Sequence, residues 1–170
     1  ETLLSGFSVL ETGDEQKQIA LNPTEKSYDS STVLEQFSFV VKNQGSSVAL
    51  IFGFTEITYH ELDQQSNRFA QYLLSEYAVE KGDFVGIKLD RNIEMVVSLL
   101  GVLKAGAAYV PIDTSYPKER IAYIEADSGC KVVIDEDDWE QFYVQRTLYS
   151  IQSLGVKISP SDAMYVIYTS

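Results

Sequence analysis

The feature that most constrains this chain is the alternation of short apolar runs with helical patterns between Phe84 and Ile134. Residues 84–89, 108–112 and 130–134 each read as a strand, rich in valine and isoleucine and bounded by glycine, proline or charged turns. Between the first two runs lies a helix that Asn92 caps and Gly106 ends. It carries Met95, Val96, Val97, Leu99, Leu100, Val102 and Leu103, and is apolar nearly all round. Between the second and third lies a helix opened by Pro117, with Ile121, Ile124 and Ala126, which Gly129 stops. Each crossover is long enough to bring the next strand back parallel. The spacing therefore predicts an α/β fold with a parallel β-α-β-α-β sheet unit flanked by helices.

Upstream of that unit, Thr32 and Glu35 stand three apart, as do Thr58 and Glu61, and each pair forms a capping box in which the two residues satisfy each other's orphan amides. The first box predicts a helix to about Asn43 with Leu34, Phe37, Val40 and Val41 inward and Gly45 just past its end. The second predicts a helix whose Leu62, Phe69, Ala70, Leu73, Leu74 and Tyr77 share one face, with Asp63, Gln64, Asn67, Arg68 and Gln71 toward solvent. Residues 48–52 and 56–58 read as two small strands around Gly53 and Phe54. Downstream, residues 141–150 read as a helix and 163–168 as a buried strand.

Residues 1–31 are mixed in character. Leu3, Leu4, Phe7, Val9 and Leu10 make an apolar opening, and a polar stretch follows through Asn22, Pro23, Thr24 and Asp29. They read as a linker with partial local order. At 170 residues the chain suits one main core, and its first residue, Glu1 rather than methionine, points to an excerpt from something longer.

Charge excludes whole classes of partner. Thirteen basic residues against 25 acidic ones leave a formal charge of −12, which repels nucleic acid and anionic membrane surfaces. No apolar run is long enough to span a bilayer, and the N-terminus lacks the basic and apolar segments of a signal peptide. The single cysteine, Cys130, reads as a small apolar strand residue, and the single histidine, His60, as an exposed residue in a helix's first turn. A cytoplasmic protein without disulfides or a multi-histidine metal site is the expectation.

In open α/β sheets ligands bind beyond the carboxyl ends of the strands, so the residues there are the candidates for chemistry. They are Asp90, Asp113, the run from Asp135 to Asp138, and Thr169 with Ser170. Hydroxyls and amides just after a strand can begin a phosphate-binding loop, with glycines to follow. The aspartates admit a second reading, a Mg2+ site of a flavodoxin-like, receiver-type domain, although Asp90 and Asp113 are single and Asp135 to Asp138 reads as a solvated turn. No nucleophile triad, dinucleotide fingerprint or complete phosphate loop is present in the sequence.

Three stretches resemble the adenylation domains of nonribosomal peptide synthetases, within the adenylate-forming ligase superfamily. Ile57-Thr58-Tyr59-His60-Glu61-Leu62, followed by Asn67-Arg68-Phe69-Ala70, resembles the family's Leu-Thr-Tyr-x-Glu-Leu opening, with Ile57 in place of leucine. Leu103-Lys104-Ala105-Gly106-Ala107-Ala108-Tyr109-Val110-Pro111-Ile112-Asp113, continuing through Tyr116-Pro117-Lys118-Glu119-Arg120-Ile121, is the most specific match. Tyr165-Val166-Ile167-Tyr168-Thr169-Ser170 resembles the approach to the family's phosphate loop, whose glycines and lysine would follow.

The resemblance covers residues 32–170 and implies the N-terminal part of an adenylation domain. Residues 1–31, through Leu3-Leu4 and Leu21-Asn22-Pro23-Thr24, are similar to the linker from an upstream condensation domain. The implied reaction joins an amino acid to ATP as an aminoacyl adenylate with release of pyrophosphate, then passes the acyl group to a phosphopantetheine thiol on a carrier domain. ATP and Mg2+ would serve the complete domain. Its implied partners are the remainder of the adenylation domain, the condensation and carrier domains, and the amino acid. Of the residues here, the resemblance assigns only Thr169 and Ser170 to ATP, assigns no catalytic or metal-binding residue, and leaves the fragment inactive alone. An acyl-CoA or aryl-acid ligase is the nearest enzymatic alternative.

Overall fold

The computed structural model describes residues 13–22, 26 and 30–169, which fall in two compact units, Glu1–Ser30 and Ser31–Ser170. In the first unit, α1 (Asp14–Leu21) carries an exposed Lys17–Asp14 pair at 3.1 Å. The apolar opening from Leu3 to Leu10, and Pro23, Thr24 and Asp29, lie outside the described residues.

In the second unit, both capping boxes form. Glu35 N donates to Thr32 Oγ1 at 3.2 Å while Thr32 N donates to Glu35 Oε2 at 2.6 Å, opening α2 (Val33–Gln44). The inward face of α2, Leu34, Phe37, Val40 and Val41, is half-buried. Strands β1 (Val48–Phe52) and β2 (Thr55–Thr58) pair antiparallel, and Thr58 and Glu61 then open α3 (Tyr59–Tyr77) with the same reciprocal bonds. His60 is exposed, and its ring packs over Gly45, leaving no room there for a β-carbon.

Two assignments along α3 are corrected. Leu74 is 44% exposed, and Asn67 is 4% exposed instead of facing water. For Asn67 the reason is long-range. Residues 151 and 152 cross the polar side of α3, where Asn67 Nδ2 donates to the Ile151 carbonyl at 2.8 Å and Gln71 Nε2 to that of Gln152 at 3.4 Å.

The predicted parallel unit is present, with strands a residue or two shorter than their apolar runs. β3 (Phe84–Ile87) lies between β4 (Ala108–Pro111) and β5 (Val132–Ile134), parallel to both. Helix α4 (Ile93–Lys104) starts where Asn92 Oδ1 accepts from Met95 N at 2.9 Å, and α5 (Lys118–Asp127) follows Pro117. Alternation sets the two faces. Val85, Ile87, Tyr109, Val132 and Ile134 join the main core, whereas Phe84, Val110 and Val133 pack with Ile121 and Ile124 of α5.

Helix α6 (Glu136–Gln145) begins before the predicted residue 141, because Asp135 and Asp138 form a third capping box. What read as a solvated acidic turn is a helix start, with three carboxylates in the first turn favoured by the helix dipole. Trp139 then packs tilted against Phe69, and Phe142 edge-on to it, at ring distances of 5.4 and 5.0 Å. Residues 163–168 form no regular strand. Tyr165 makes a single parallel bridge to Tyr109, and Tyr165 and Ile167 are 50% and 58% exposed.

Helices α3 and α4 are tied by an ion pair between residues 41 positions apart, which no local pattern signals. Lys104 Nζ, on a side chain 9% exposed, donates to Asp63 Oδ1 at 2.7 Å and Ser66 Oγ at 2.8 Å, and lies 5.3 Å from the Phe37 ring centroid. Burial lowers the Lys104 pKa and the Asp63 hydrogen bond opposes that shift. Removing the carboxylate strands a buried ammonium, so Asp63→Ala is predicted to cost about 3 kcal/mol, whereas Lys104→Met, which removes the charge and keeps the stem, costs less than ~1 kcal/mol. Urea denaturation followed by Trp139 fluorescence checks this. Equal losses in the two variants would contradict it.

Candidate functional site at the carboxyl edge of the sheet

Because β3, β4, β5 and the Tyr165 bridge are all parallel, the residues following them share one edge of the sheet. Asp90 follows β3, Asp113 follows β4, Asp135 follows β5, and Thr169 follows the bridge. The candidates chosen from sequence are therefore brought to one edge, with the exception of Ser170, which lies outside the described residues.

Their carboxylates are committed to local structure. Thr114 Oγ1 donates to Asp90 Oδ1, and Asp113 Oδ1 accepts from the Ser115 amide at 2.9 Å and from the Ser115 hydroxyl. The Ser115 hydroxyl, then its amide, hold the Asp113 carboxyl below the usual carboxylate range, with a lesser contribution from Arg91. The Asp135 carboxylate caps α6 through its Oδ1, while Oδ2 lies 3.7 Å from Lys88 Nζ. Lys88 donates to Glu125 at 2.9 Å, and that bond, against the opposing effect of burial, raises its pKa. Among the described residues no three His, Cys, Asp or Glu side chains gather in a way that could hold a metal ion. Cys130 is half-buried, and burial pushes its thiol pKa up.

The segment leading to Thr169 is held from two sides. Tyr109 N donates to the Met164 carbonyl at 3.1 Å, and Val166 N to the Tyr109 carbonyl at 3.0 Å, with the Tyr109 and Tyr165 rings 5.7 Å apart. From α5, Arg120 Nη2 donates to the Thr169 carbonyl at 2.9 Å, and Tyr168 Oη donates to Asp127 Oδ2 at 2.8 Å. That acceptor, with some burial, pushes the Tyr168 hydroxyl up to about 12. Thr169 itself is exposed. The contacts from Arg120 and Asp127 were not read from the sequence. Arg120 stands 49 positions from Thr169, and nothing local pairs them.

A family model described as AMP-binding enzyme matches residues 37–170. The chain belongs to the AMP-binding enzyme family. Among its relatives are nonribosomal peptide synthetases. It is 38% identical to bacitracin synthase 1 of Bacillus licheniformis over 165 residues, which is 96% of this chain and 3% of that protein. Among solved structures, the nonribosomal peptide synthetase FmoA3 superposes with a TM-score of 0.79 at 25% identity, over 94% of this chain and 18% of that one. The N-terminal subdomain of Klebsiella oxytoca NpsA, in complex with 3-hydroxybenzoyl-AMSN, gives 0.72 at 26% identity, over 86% of this chain and 40% of that one. The α/β architecture and the resemblance drawn from residues 57–62, 103–121 and 165–170 both agree with these neighbours. The chain spans a small fraction of the synthetases it matches.

The Asp113 carboxylate gives a test of the edge as described. Its lowered pKa contributes stability that is present above the ordinary carboxylate pKa and lost as pH falls through the lowered value. NMR titration is predicted to place the Asp113 carboxyl below the usual range and Ser115→Ala to move it upward. Mg2+ is predicted to leave the Asp90 and Asp113 signals unmoved, and a saturable Mg2+ shift at both would restore the receiver-type reading.

Proposed function

We propose that this chain is the N-terminal part of an amino-acid-activating adenylation domain, an AMP-forming ligase acting in nonribosomal peptide synthesis. The observation that carries the reading is the delivery of exposed Thr169 to the carboxyl edge of a parallel sheet, in a chain of the AMP-binding family. An amino acid carboxylate oxygen attacks the α-phosphorus of ATP, the bond from that phosphorus to the bridging oxygen of pyrophosphate breaks, and pyrophosphate leaves. A phosphopantetheine thiol on a carrier domain then gives up its proton and attacks the acyl carbon, the bond from that carbon to the phosphate oxygen breaks, and AMP leaves as the thioester forms.

Thr169 and Ser170 take the role of phosphate donors, through hydroxyl and amide hydrogens that meet non-bridging oxygens. With a net charge of −12, the chain supplies little of the positive charge that a triphosphate needs. The cations nearest the edge are engaged: Lys88 with Glu125, Arg91 with Asp113 at 3.7 Å, and Arg120 with Thr169. No described set of carboxylates fits Mg2+ either, so no step is assigned to it here. Residues 1–31 serve in this reading as the linker from a condensation domain, and the whole works in the cytoplasm beside carrier and condensation domains.

A second reading, activation of an aryl acid, is favoured by the aryl group in the NpsA complex. ATP–pyrophosphate exchange separates the two. The longer protein that carries this chain is predicted to exchange pyrophosphate with one or a few amino acids at least about tenfold above the rate without acid, and the 170-residue chain alone to show none. Exchange with benzoates only would select the aryl reading. Robust amino-acid-dependent exchange by the isolated chain, or none by the longer protein with any acid, would contradict the proposal.

A further inference from the structure

The segment from Met164 to Thr169 reaches the sheet edge by two kinds of attachment. At Tyr109 it is held by backbone bonds that any sequence could make. At Tyr168 and Thr169 it is held by side chains of a single helix, α5, spaced along that helix from Arg120 in its first turn to Asp127 at its end. The Tyr123 ring lies between them, edge-on to Tyr168 at 6.2 Å, and the Arg120 guanidinium carbon is 5.9 Å from the Tyr123 centroid. A guanidinium that donates to a backbone carbonyl turns that peptide group. The Arg120 bond therefore fixes the direction of the Thr169 carbonyl at the sheet edge.

We propose that Arg120 and Asp127 are positioning residues for nucleotide binding, which hold Tyr168 and Thr169 so that the exposed Thr169 presents its hydroxyl to phosphate. The inference rests on the functional reading above and deepens it. Neither side chain touches substrate in this scheme. Arg120 acts through the Thr169 carbonyl, and Asp127 acts through the Tyr168 hydroxyl. A donor array aimed in advance loses less on binding than one that must be ordered by its ligand, so the clamp acts on ATP affinity and leaves the amino acid pocket alone.

The test uses the longer protein that carries this chain, with Arg120→Ala, Arg120→Lys and Tyr168→Phe. Arg120→Ala is expected to raise KM for ATP about tenfold while KM for the amino acid stays within about twofold, and Arg120→Lys to recover part of the loss. Tyr168→Phe, which removes only the bond to Asp127, is expected to raise KM for ATP about threefold. Amide hydrogen exchange across residues 164–169 reads the clamp without activity, and is expected to quicken in Arg120→Ala and Tyr168→Phe. A general loss of structure would move both KM values and the thermal midpoint together, and that outcome overturns the proposal, as does an unchanged KM for ATP in an active Arg120→Ala protein. If Arg120→Ala does not fold, the lysine and phenylalanine variants carry the same comparison. A wild-type protein that exchanges pyrophosphate with no acid overturns the functional reading and the phosphate role with it, while unchanged hydrogen exchange in the variants overturns the clamp itself.

Discussion

The two hydrogen bonds that Tyr109 exchanges with Met164 and Val166 decide where the chain joins the sheet edge on its way to Thr169. They depend on β4 arriving in register beside β3, and that depends on a sharp exit from α4. Gly106, at φ +85°, makes the exit, and a β-carbon there would lie 2.8 Å from Val156. Ala107 N closes the helix end on the Val102 carbonyl at 3.1 Å, and Gly82 N bonds the Gly106 carbonyl at 2.9 Å. The Lys104–Asp63 pair fixes the same end of α4 against α3. The residues of the most specific family stretch, 103–121, thus act on the site by placing the strand and the helix that hold Thr169.

Much of this was legible because it is local. Thr32 with Glu35, Thr58 with Glu61, Asn92, Gly106 and Gly129 announce where helices start and stop, and the positions where the apolar period changes divide strands from helices. The third capping box was missed because an aspartate at its third position is a less familiar partner than glutamate, although Asp138 reaches back to the Asp135 amide at 3.2 Å. Acidic residues in a row read as solvated, and only the helix behind them shows what they are for.

What failed was burial set by distant segments. Asn67 looked solvent-facing until residues 151 and 152 lay across it, and the apolar run at 163–168 looked buried although Tyr165 and Ile167 face outward. Apolarity along a chain states what would gain from being covered; it does not state what covers it. The site divides in the same way. Asp90, Asp113 and Thr169 could be placed at strand ends from the predicted strands alone, and the phosphate role proposed for Thr169 and Ser170 came from resemblance. The hold of Arg120 on Thr169 required the fold.

The central claim is that the strand-end segment at Thr169 is shaped by β4 and α5 to meet a triphosphate. The most direct measurement is a crystal structure of the longer protein that carries this chain, bound to a non-hydrolysable ATP analogue. The account predicts phosphate oxygens within hydrogen-bond distance of Thr169 or Ser170 while Arg120 still donates to the Thr169 carbonyl. A triphosphate bound away from this edge, or an Arg120 turned off Thr169 to grip phosphate directly, would contradict it.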